Sequence, residues 1–501
     1  MQTIHKRCNW AFMALALAVV GYLVFVLHRY LTFGTYLDHA ESDAAVLAWR
    51  LMTGQSLYAG TDSAEQFFSL YGPMLYIFSG LPFLLFEPSV ALSKLGNSAA
   101  CISSVGLFAI YTWRRYGADY FGIGVLIFAC YPLIATAAGL WIRPEPYTYF
   151  LVTAALAATL LSERRDTMWT AVAIAICAGL AMNLKIHSFV YFVPLVMKYG
   201  VSRWRIEWPV MFVVAIAVFV LPFALPNVSF TNYVRGVAEF ASGRELHWNA
   251  LRSAIKFSFM FTAPGLFLLT LIAARRAPLS RPDKIYSAVF FLCVVLNLYP
   301  SSLPGSTWYH LVPFFPIAVD LNLRYLRALE ERPRLWLTGH AAVALTLIIL
   351  CVTPQKRLMK IMYKASAWSH EITAEITKAM QSFPGQSIQL GYDFDTAVHY
   401  RWTFVRPVIA FAGHPLTVSG VLGMERQFAR KDTSSAKIKW IKACRTDVWL
   451  IPIGHGRSFS MTSHYGDGQS AFGKQFQTAF YETYEKTEIT KHFSVWRCRN
   501  R

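Results

Sequence analysis

The sequence has few charged residues, and its cysteines and glycines form none of the common cofactor patterns. Charged residues make up 15% of the 501 residues, against about 25% in a soluble domain, whereas apolar residues make up 55%. This composition excludes a disordered chain and a typical soluble enzyme. The eight cysteines form no CxxC pair and no Cys/His zinc pattern, which argues against zinc or redox chemistry. The sequence also lacks a nucleotide-binding glycine loop and internal repeats.

Acidic residues are scarcer than basic ones. The chain has 47 Lys and Arg and 28 Asp and Glu, which gives a net charge of +19. In a soluble protein this surplus would indicate a nucleic-acid partner. In a membrane protein it is expected, because Lys and Arg collect in cytoplasmic loops. The apolar composition favours a membrane protein, and we predict no nucleic-acid partner.

The apolar runs predict about eleven transmembrane helices, each of which needs about 20 residues. They lie at 10–27, 95–113, 120–142, 146–162, 208–230, 257–274, 285–303, 308–323 and 335–353, with two more within 167–197 that meet near Lys185. The uncharged run 66–86 contains Gly72-Pro73 and Pro82, which break helices. If it crossed, most of the basic loops would face outward, against the positive-inside rule. We therefore expect a broken helix at the outer membrane surface and a cytoplasmic N-terminus.

The composition changes after the last apolar run. Residues 366–383 have helical spacing that ends at Pro384-Gly385, and 387–392, 447–453 and 493–498 are typical of short strands. We predict a transmembrane domain over 1–353, with 28–94 as its first outer loop and juxtamembrane helices, and an extracytoplasmic α/β domain over 354–501. An oxidising compartment could pair Cys444 with Cys498 in that domain.

The predicted outer domain is basic. Residues 354–501 hold 21 of the 47 basic residues and 11 acidic ones. A basic domain outside the membrane points to an anionic partner such as a phosphorylated glycolipid, an acidic glycan or lipid headgroups. The alternative is a solvated basic surface.

The first outer loop holds carboxylates directly after the first apolar run. Asp38, Glu41 and Asp43 occur in the segment YLDHAESDAA. Carboxylates at the mouth of a membrane cavity can act as a general base or bind a cation. The structural alternative is a solvated loop, or a helix N-cap formed by Asp38 or Ser42.

Further polar residues lie at the outer ends of later spans. The prolines of Arg143-Pro-Glu-Pro146 bar a continuous helix and are expected to present Glu145 at the surface of the bundle. Lys185 interrupts an apolar run, which indicates a functional site unless the lysine snorkels to the interface. Tyr309 and His310 open a span, where aromatic residues often form an interfacial belt. Together these groups fit a membrane enzyme in which cations hold the phosphate of a lipid-linked substrate and a carboxylate takes a proton.

These residues resemble the motifs of glycosyltransferases with the GT-C fold, in particular bacterial lipid A aminoarabinose transferases and protein O-mannosyltransferases. The likeness covers most of residues 10–330. The matching elements are Asp38, the small-residue Ala44–Tyr58 segment, the Tyr71–Tyr76 segment, Glu145-Pro146, the Gly179–Lys185 segment and the Tyr309–Pro313 segment. The acid pair usual in the first loop is replaced by Asp38-His39-Ala40. The doubled proline and preceding lysine of the aminoarabinose enzymes are missing at Leu70–Pro73.

The resemblance implies a polytopic helical protein of the bacterial inner membrane with a periplasmic α/β domain. It also implies an inverting transfer of a hexose or pentose from polyprenyl phosphate to a lipid, glycan or protein during cell-envelope glycan biosynthesis. Asp38 would be the base, with Glu41 as second choice. Glu145 would orient the acceptor, and Lys185 and Arg143 would stabilise the leaving phosphate. The other predicted substrate-binding residues are Asp43, Tyr71, Tyr309 and His310.

Other functions stay open at this point. No metal ligands are assigned, although a divalent cation at the first-loop carboxylates is a further option. A secondary transporter or lipid flippase is the main rival from another class, and a transporter should show repeats with broken helices in matching halves. An outer-face glycan polymerase or ligase would keep the class and change the reaction.

Overall fold

The computed structural model describes residues 2–60, 62–65, 67, 70–164, 167–199, 204–241, 245–275, 277–303, 305–393, 399–429, 433–454, 456–462 and 470–499. Most of this chain is helical. The helices are α1 Gln2–Leu31, α2 His39–Met52, α3 Pro73–Gly80, α4 Val90–Ser93, α5 Leu95–Tyr116, α6 Ala118–Ile134, α7 Pro144–Ala158, α8 Thr167–Leu184, α9 Val193–Tyr199, α10 Trp204–Val220, α11 Phe230–Ala241, α12 Trp248–Ala274, α13 Arg281–Leu296, α14 Leu298–Ser301, α15 Phe315–Ala328, α16 Pro333–Ser382, α17 His399–Trp402, α18 Pro407–Phe411, α19 Gly420–Phe428, α20 Ser435–Lys442 and α21 Gly473–Thr483. Short 3-10 helices occupy Leu81–Leu84, Thr136–Gly139, Thr159–Arg164, Ile186–Tyr191, Leu221–Ala224, Trp308–Phe314 and Thr403–Val405.

Several helices match the length and polarity of membrane spans, and the chain is a multi-pass membrane protein. Six helical segments of the described chain are long and apolar enough to cross a bilayer: Asn9–Leu31, Leu95–Tyr116, Glu207–Ala224, Trp248–Ala274, Arg281–Ser301 and Pro333–Ser382. Shorter apolar helices lie at Pro73–Leu84, Ala118–Ile134, Met168–Leu184 and Ile186–Lys198. The predicted number of eleven spans and the orientation of the termini stay predictions.

Within the uncharged run 66–86, residues 73–84 form a broken helix, as the glycines and prolines predict. Pro73 begins α3, and a 3-10 turn continues it from Leu81 to Leu84. At about 1.5 Å of rise per residue, such a segment is too short to cross a hydrocarbon layer of about 30 Å. Leu84, Leu85 and Phe86 are exposed at its end.

The described chain divides into two compact units. Unit 1 comprises Met1–Tyr30, Asn97–Pro222 and Glu245–Lys360, and unit 2 comprises Leu31–Gly96, Phe223–Arg244 and Ile361–Arg501. The domain boundary predicted after residue 353 falls inside the continuous helix α16, and it stays a prediction.

Unit 1 is a helical bundle with an aromatic core. The ring of Phe128 stacks on Phe108 and on Tyr149, and the ring of Tyr131 stacks on Phe315. Helices α8 and α10 approach closely at Gly179, where a Cβ atom would lie 2.5 Å from the carbonyl oxygen of Ala215. This glycine therefore allows the contact that fixes α8, the helix that ends immediately before Lys185.

Unit 2 contains a four-stranded sheet of strands β1 Ile388–Leu390, β2 Val448–Pro452, β3 Tyr484–Ile489 and β4 Phe493–Cys498. The strand order is β1-β2-β4-β3, with β1 parallel to β2 and the other two pairs antiparallel. The predicted strands are confirmed as β1, β2 and β4, and the predicted helix is the last part of α16. Strand β3 was not predicted, because all its residues after Tyr484 are exposed and most are polar.

The core of the α/β region lies between the sheet and α16. Ile372 and Ile376 of this helix pack with Ile388, Leu450 and Val495 of the strands, and all five are buried. Cys444 and Cys498 form a disulfide, as their shared position in the α/β region predicted. The bond joins the residues that follow α20 to the end of β4.

Candidate active site

The residues predicted to form the site fall into two groups, one in each unit. Arg143, Glu145, Lys185, Tyr309 and His310 belong to unit 1, and we call them the Lys185 cluster. The remaining predicted residues, Asp38, Glu41, Asp43 and Tyr71, belong to unit 2.

An ion pair lies at the centre of the Lys185 cluster. The Nζ atom of Lys185 lies 2.5 Å from Oε1 of Glu145, and Nε1 of Trp141 donates to the other carboxylate oxygen at 3.1 Å. Glu145 is only 2% exposed. The expectation that the proline turn presents Glu145 at the surface was therefore wrong. Pro144 starts α7, and the first turn of this helix directs the carboxylate inward, where Lys185 pairs with it instead of snorkelling outward.

Aromatic rings enclose both cations of the cluster. The ring centroid of Tyr309 lies 5.0 Å from Nζ of Lys185 and 5.1 Å from the guanidinium carbon of Arg143. The same guanidinium carbon lies 4.3 Å from the ring of Trp141. Such contacts hold cations through the negative face of the ring and leave their N–H groups directed elsewhere.

His310 extends the cluster away from the ion pair. Its ring stacks on Tyr309, and its Nδ1 lies 3.1 Å from Nε2 of His187. The hydroxyl of Tyr191 donates to the main-chain oxygen of His310 at 2.6 Å. His187 is therefore a hydrogen-bonding partner of His310.

The Lys185 cluster holds two cations and one carboxylate, all largely buried. Buried cations have little water around them, so two of them held close together form a favourable place for an anionic ligand. Arg and Lys are also the side chains that bind phosphate oxygens most strongly.

In unit 2, Asp38 and Glu41 cap the N-terminus of α2. The side chain of Asp38 accepts from the backbone N–H of Ala40 at 2.9 Å, and Oε1 of Glu41 accepts from the backbone N–H groups of Leu37 and Asp38 at 2.8 and 2.9 Å. This reciprocal arrangement is a capping box. Asp38 is therefore the N-cap of α2, as the structural alternative predicted. Glu41 is fully buried and Asp38 is partly exposed, so Asp38 is the more accessible of the two.

Asp43 pairs with an arginine far along the chain. The Nη2 atom of Arg406 lies 2.6 Å from Oδ1 of Asp43 and donates to Oγ of Ser42 at 2.9 Å, and Nη1 donates to the hydroxyl of Tyr392. Oγ of Ser419 donates to Oδ2 of Asp43 at 2.6 Å. We call these five residues the Arg406 cluster. Burial lowers the pKa of Arg406, but the Asp43 carboxylate and the nearby tyrosine side chains together outweigh burial and raise the pKa, so the guanidinium stays charged.

Two more contacts of unit 2 surround the α2 N-terminus. Nδ1 of His39 lies 2.9 Å from the hydroxyl of Tyr400. Nζ of Lys94 donates to the main-chain oxygens of Phe33 and Thr35 at 2.5 and 2.6 Å. Burial lowers the pKa of Lys94 to about 7, and Glu41 acts in the opposite direction.

Tyr71 is buried in the loop before α3, where its main-chain oxygen accepts from the hydroxyl of Tyr58 at 2.8 Å. Its role in substrate binding stays a prediction. In the described part of the chain, no three His, Cys, Asp or Glu side chains are grouped in a way that could hold a metal ion.

Sequence reasoning missed Arg406, Ser419, Tyr400 and Trp141. The first three lie in the basic α/β region, where nothing in the local pattern separates them from solvated polar residues. Trp141 offered a weak signal, because it directly precedes the Arg143-Pro-Glu-Pro turn.

No protein-family model and no curated protein matches the sequence. Among solved structures, the chain is similar to apo ArnT from Cupriavidus metallidurans, with a TM-score of 0.61 and 14% identity over 98% of each chain. It is also similar to ArnT from the same organism bound to undecaprenyl phosphate, with a TM-score of 0.56 and 14% identity over 96% of this chain and 97% of that one. The likeness shows the fold, which is the GT-C fold of membrane glycosyltransferases.

Proposed function

We propose that the chain is a membrane glycosyltransferase that moves a sugar from a polyprenyl-phosphate donor to an acceptor at the outer face of a bacterial inner membrane. The observation that carries the proposal is the pair of largely buried cations, Lys185 and Arg143, which both lie about 5 Å from the ring of Tyr309. A structural neighbour that covers 96% of the chain was crystallised with undecaprenyl phosphate, which supports a donor of that chemical class.

Lys185 and Arg143 would bind the phosphate of the donor. As the bond from the anomeric carbon to the phosphate oxygen breaks, negative charge grows on the departing polyprenyl phosphate. Cations that are already in place stabilise this charge without reorganisation. The ring of Tyr309 contacts both cations, and Glu145 fixes Lys185 through their ion pair.

Asp38 would act as the general base, with Glu41 as the second candidate. The base takes the proton of the acceptor hydroxyl, the hydroxyl oxygen attacks the anomeric carbon, and the phosphate leaves with its bonding electron pair, which inverts that carbon. The partial exposure of Asp38 supports this choice over the buried Glu41. Tyr71 and His310 are proposed as substrate-binding residues. Asp43 was predicted to be a third, but its pairing with Arg406 supports a positioning role instead.

The proposal is tested by supplying the purified protein with polyprenyl-phosphate monosaccharides and measuring released polyprenyl phosphate by mass spectrometry. Sugar-dependent release, together with a glycosylated acceptor, is the expected result. Movement of the intact lipid-linked sugar across a vesicle membrane without release would contradict it and favour a flippase.

Asp38→Asn tests the base in the same assay. Asn is as good an N-cap as Asp, so this variant keeps the α2 cap and removes the basic carboxylate. We expect transfer to be abolished while expression and folding are unchanged. Activity at the wild-type level would move the base to Glu41 or Glu145.

A further inference from the structure

Helix α16 carries a basic stripe immediately after its apolar part. Lys356, Arg357, Lys360 and Lys364 are all exposed, and they fall within nine residues of one continuous helix. On the other side of the helix, Gln355, Leu358 and Met362 are buried. The four cations therefore share the side of α16 that faces away from the protein, and we call them the basic stripe.

The stripe continues an exposed apolar face. Leu345, Ile349 and Val352 are 61%, 60% and 49% exposed, and they precede Lys356 at spacings of three or four residues. Residues at these spacings lie above one another on a helix. Since the apolar part of α16 is a candidate membrane span, the same face passes from hydrocarbon to four cations within about one turn. The cations thus lie at the depth of the lipid headgroups.

No acidic residue of α16 lies next to these charges in the sequence. No Asp or Glu occurs between Glu331 and Glu371. Lys356, Lys360 and Lys364 follow one another at intervals of four residues, and like charges at this spacing destabilise a helix. The stripe spans about 12 Å along the axis, which is wide enough for more than one phosphate. Exposed Tyr363 lies among the cations, as is typical of residues at a membrane interface.

We infer that the basic stripe of α16 binds the phosphate groups of anionic membrane lipids in the leaflet where the helix leaves the bilayer. The cations supply the charge, and the apolar face below them contacts the acyl chains of the same lipids. The headgroup phosphates relieve the repulsion along the stripe. This inference is independent of sugar transfer, so it would hold for a chain with any catalytic activity.

The test uses a variant in which Lys356, Arg357, Lys360 and Lys364 are each changed to Gln. The control changes Lys439, Lys442, Arg445 and Lys474 to Gln, which removes the same number of exposed charges elsewhere in the α/β region. Each protein is released from nanodiscs that contain equal amounts of phosphatidylglycerol and phosphatidylcholine. Native mass spectrometry then gives the ratio of the two lipids retained.

We expect the wild type and the control to retain phosphatidylglycerol preferentially. In the stripe variant the ratio of retained phosphatidylglycerol to phosphatidylcholine should fall by at least about tenfold, because each cation near an anionic surface strengthens binding several-fold. Equal ratios for the stripe variant and the control would overturn the inference. So would displacement of the lipid by soluble glycerol phosphate at the same concentration, since a free anion would then be the ligand.

Single substitutions cover the case in which the fourfold variant does not fold. Lys360→Gln should lower the lipid ratio by several-fold, and Lys360→Arg should leave it unchanged. A ratio that falls equally with both would indicate that packing, and not charge, holds the lipid.

Discussion

The Lys185 cluster and the Arg406 cluster both centre on a buried pair of opposite charges, yet they differ in the groups that surround the pair. In the Arg406 cluster one guanidinium meets one carboxylate, and hydroxyl groups occupy further positions around both. In the Lys185 cluster a second cation, Arg143, lies near the pair, and aromatic rings contact both cations. Hydroxyl groups fix the geometry of a buried pair, and removing one partner of such a pair is costly. Two cations held against aromatic rings can bind a phosphate, which is the behaviour expected of a binding site.

Sequence distance also separates the two clusters. Asp43 and Arg406 are more than 360 residues apart, and together they tie the N-terminus of α2 to the α/β region of unit 2. The Lys185 cluster combines residues at the ends of helices within unit 1. We therefore assign a positioning role to the Arg406 cluster and a binding role to the Lys185 cluster. Substitutions in each cluster separate these roles.

The largest expected effect is on stability. Arg406→Ala leaves Asp43 buried without its cation, and breaking such a pair typically costs about 3–5 kcal/mol. We expect a large drop in the thermal denaturation midpoint of the purified protein. Arg406→Lys should recover part of it, because Lys keeps the charge and loses the second nitrogen that contacts Tyr392.

The exposed pair of Lys491 and Glu371 is the control for this substitution. Exposed ion pairs contribute little, so Lys491→Ala should leave the midpoint unchanged. If Arg406→Ala melted like the wild type while transfer was lost, Arg406 would belong to the binding machinery and the comparison would be wrong.

The next effect is on catalysis. Lys185→Ala should lower kcat/KM for the polyprenyl-phosphate donor by about 10²–10³, the usual loss when one preorganised charge is removed. Lys198→Ala is a closely matched control. Nζ of Lys198 also lies close to a carboxylate, at 3.0 Å from Asp283, and to an aromatic ring, at 4.5 Å from the centroid of Tyr286. Around Lys198, however, Arg324 contacts both Asp283 and Asp320, so two cations meet two carboxylates.

Lys198→Ala should therefore leave donor kinetics within a few-fold of the wild type. Equal losses in the two variants would show that any buried lysine of unit 1 acts through stability. An unchanged Lys185→Ala enzyme would remove the phosphate-binding role of the cluster.

The sequence pattern predicted much of the fold and one of the two clusters. Polar residues that interrupt apolar runs are conspicuous, so Glu145 and Lys185 could be found without a structure. Short apolar strands bounded by polar residues were equally visible. Arg406 and Ser419 could not be found, because their importance comes from contacts with residues more than 360 positions away, and no local pattern records such a pairing. The inward direction of Glu145 was missed because the turn depends on how α7 packs.

A buried lysine of unit 2, Lys437, predicts that the stability of the protein depends on pH. Burial lowers the pKa of Lys437 to about 7, with a further lowering by Arg426 and an opposing effect of Asp43. In the unfolded chain this lysine titrates near 10.4, so between these values the unfolded state binds more protons than the folded state. The free energy of unfolding should therefore rise with pH from about 7 to about 10, by up to ~1.4 kcal/mol per pH unit from this group.

Lys437→Met should remove this contribution. The measurement compares thermal midpoints of the two proteins at pH 7.5 and 9.5, so that other titrating groups cancel in the difference. A variant whose midpoint follows pH as steeply as the wild type would show that Lys437 keeps an ordinary pKa.

The smallest expected effect concerns Tyr309. Tyr309→Leu removes a ring that lies about 5 Å from both cations, and such contacts contribute about 0.5–2 kcal/mol. We expect a loss of several-fold to about thirtyfold in kcat/KM. Tyr309→Phe keeps the ring and loses only the hydrogen bond to the main-chain oxygen of Gly305, so it should stay close to wild-type activity. If Tyr309→Phe were as impaired as Tyr309→Leu, the hydroxyl would be the group that matters, and the cations of the Lys185 cluster would be held by Glu145 and Trp141 without help from the Tyr309 ring.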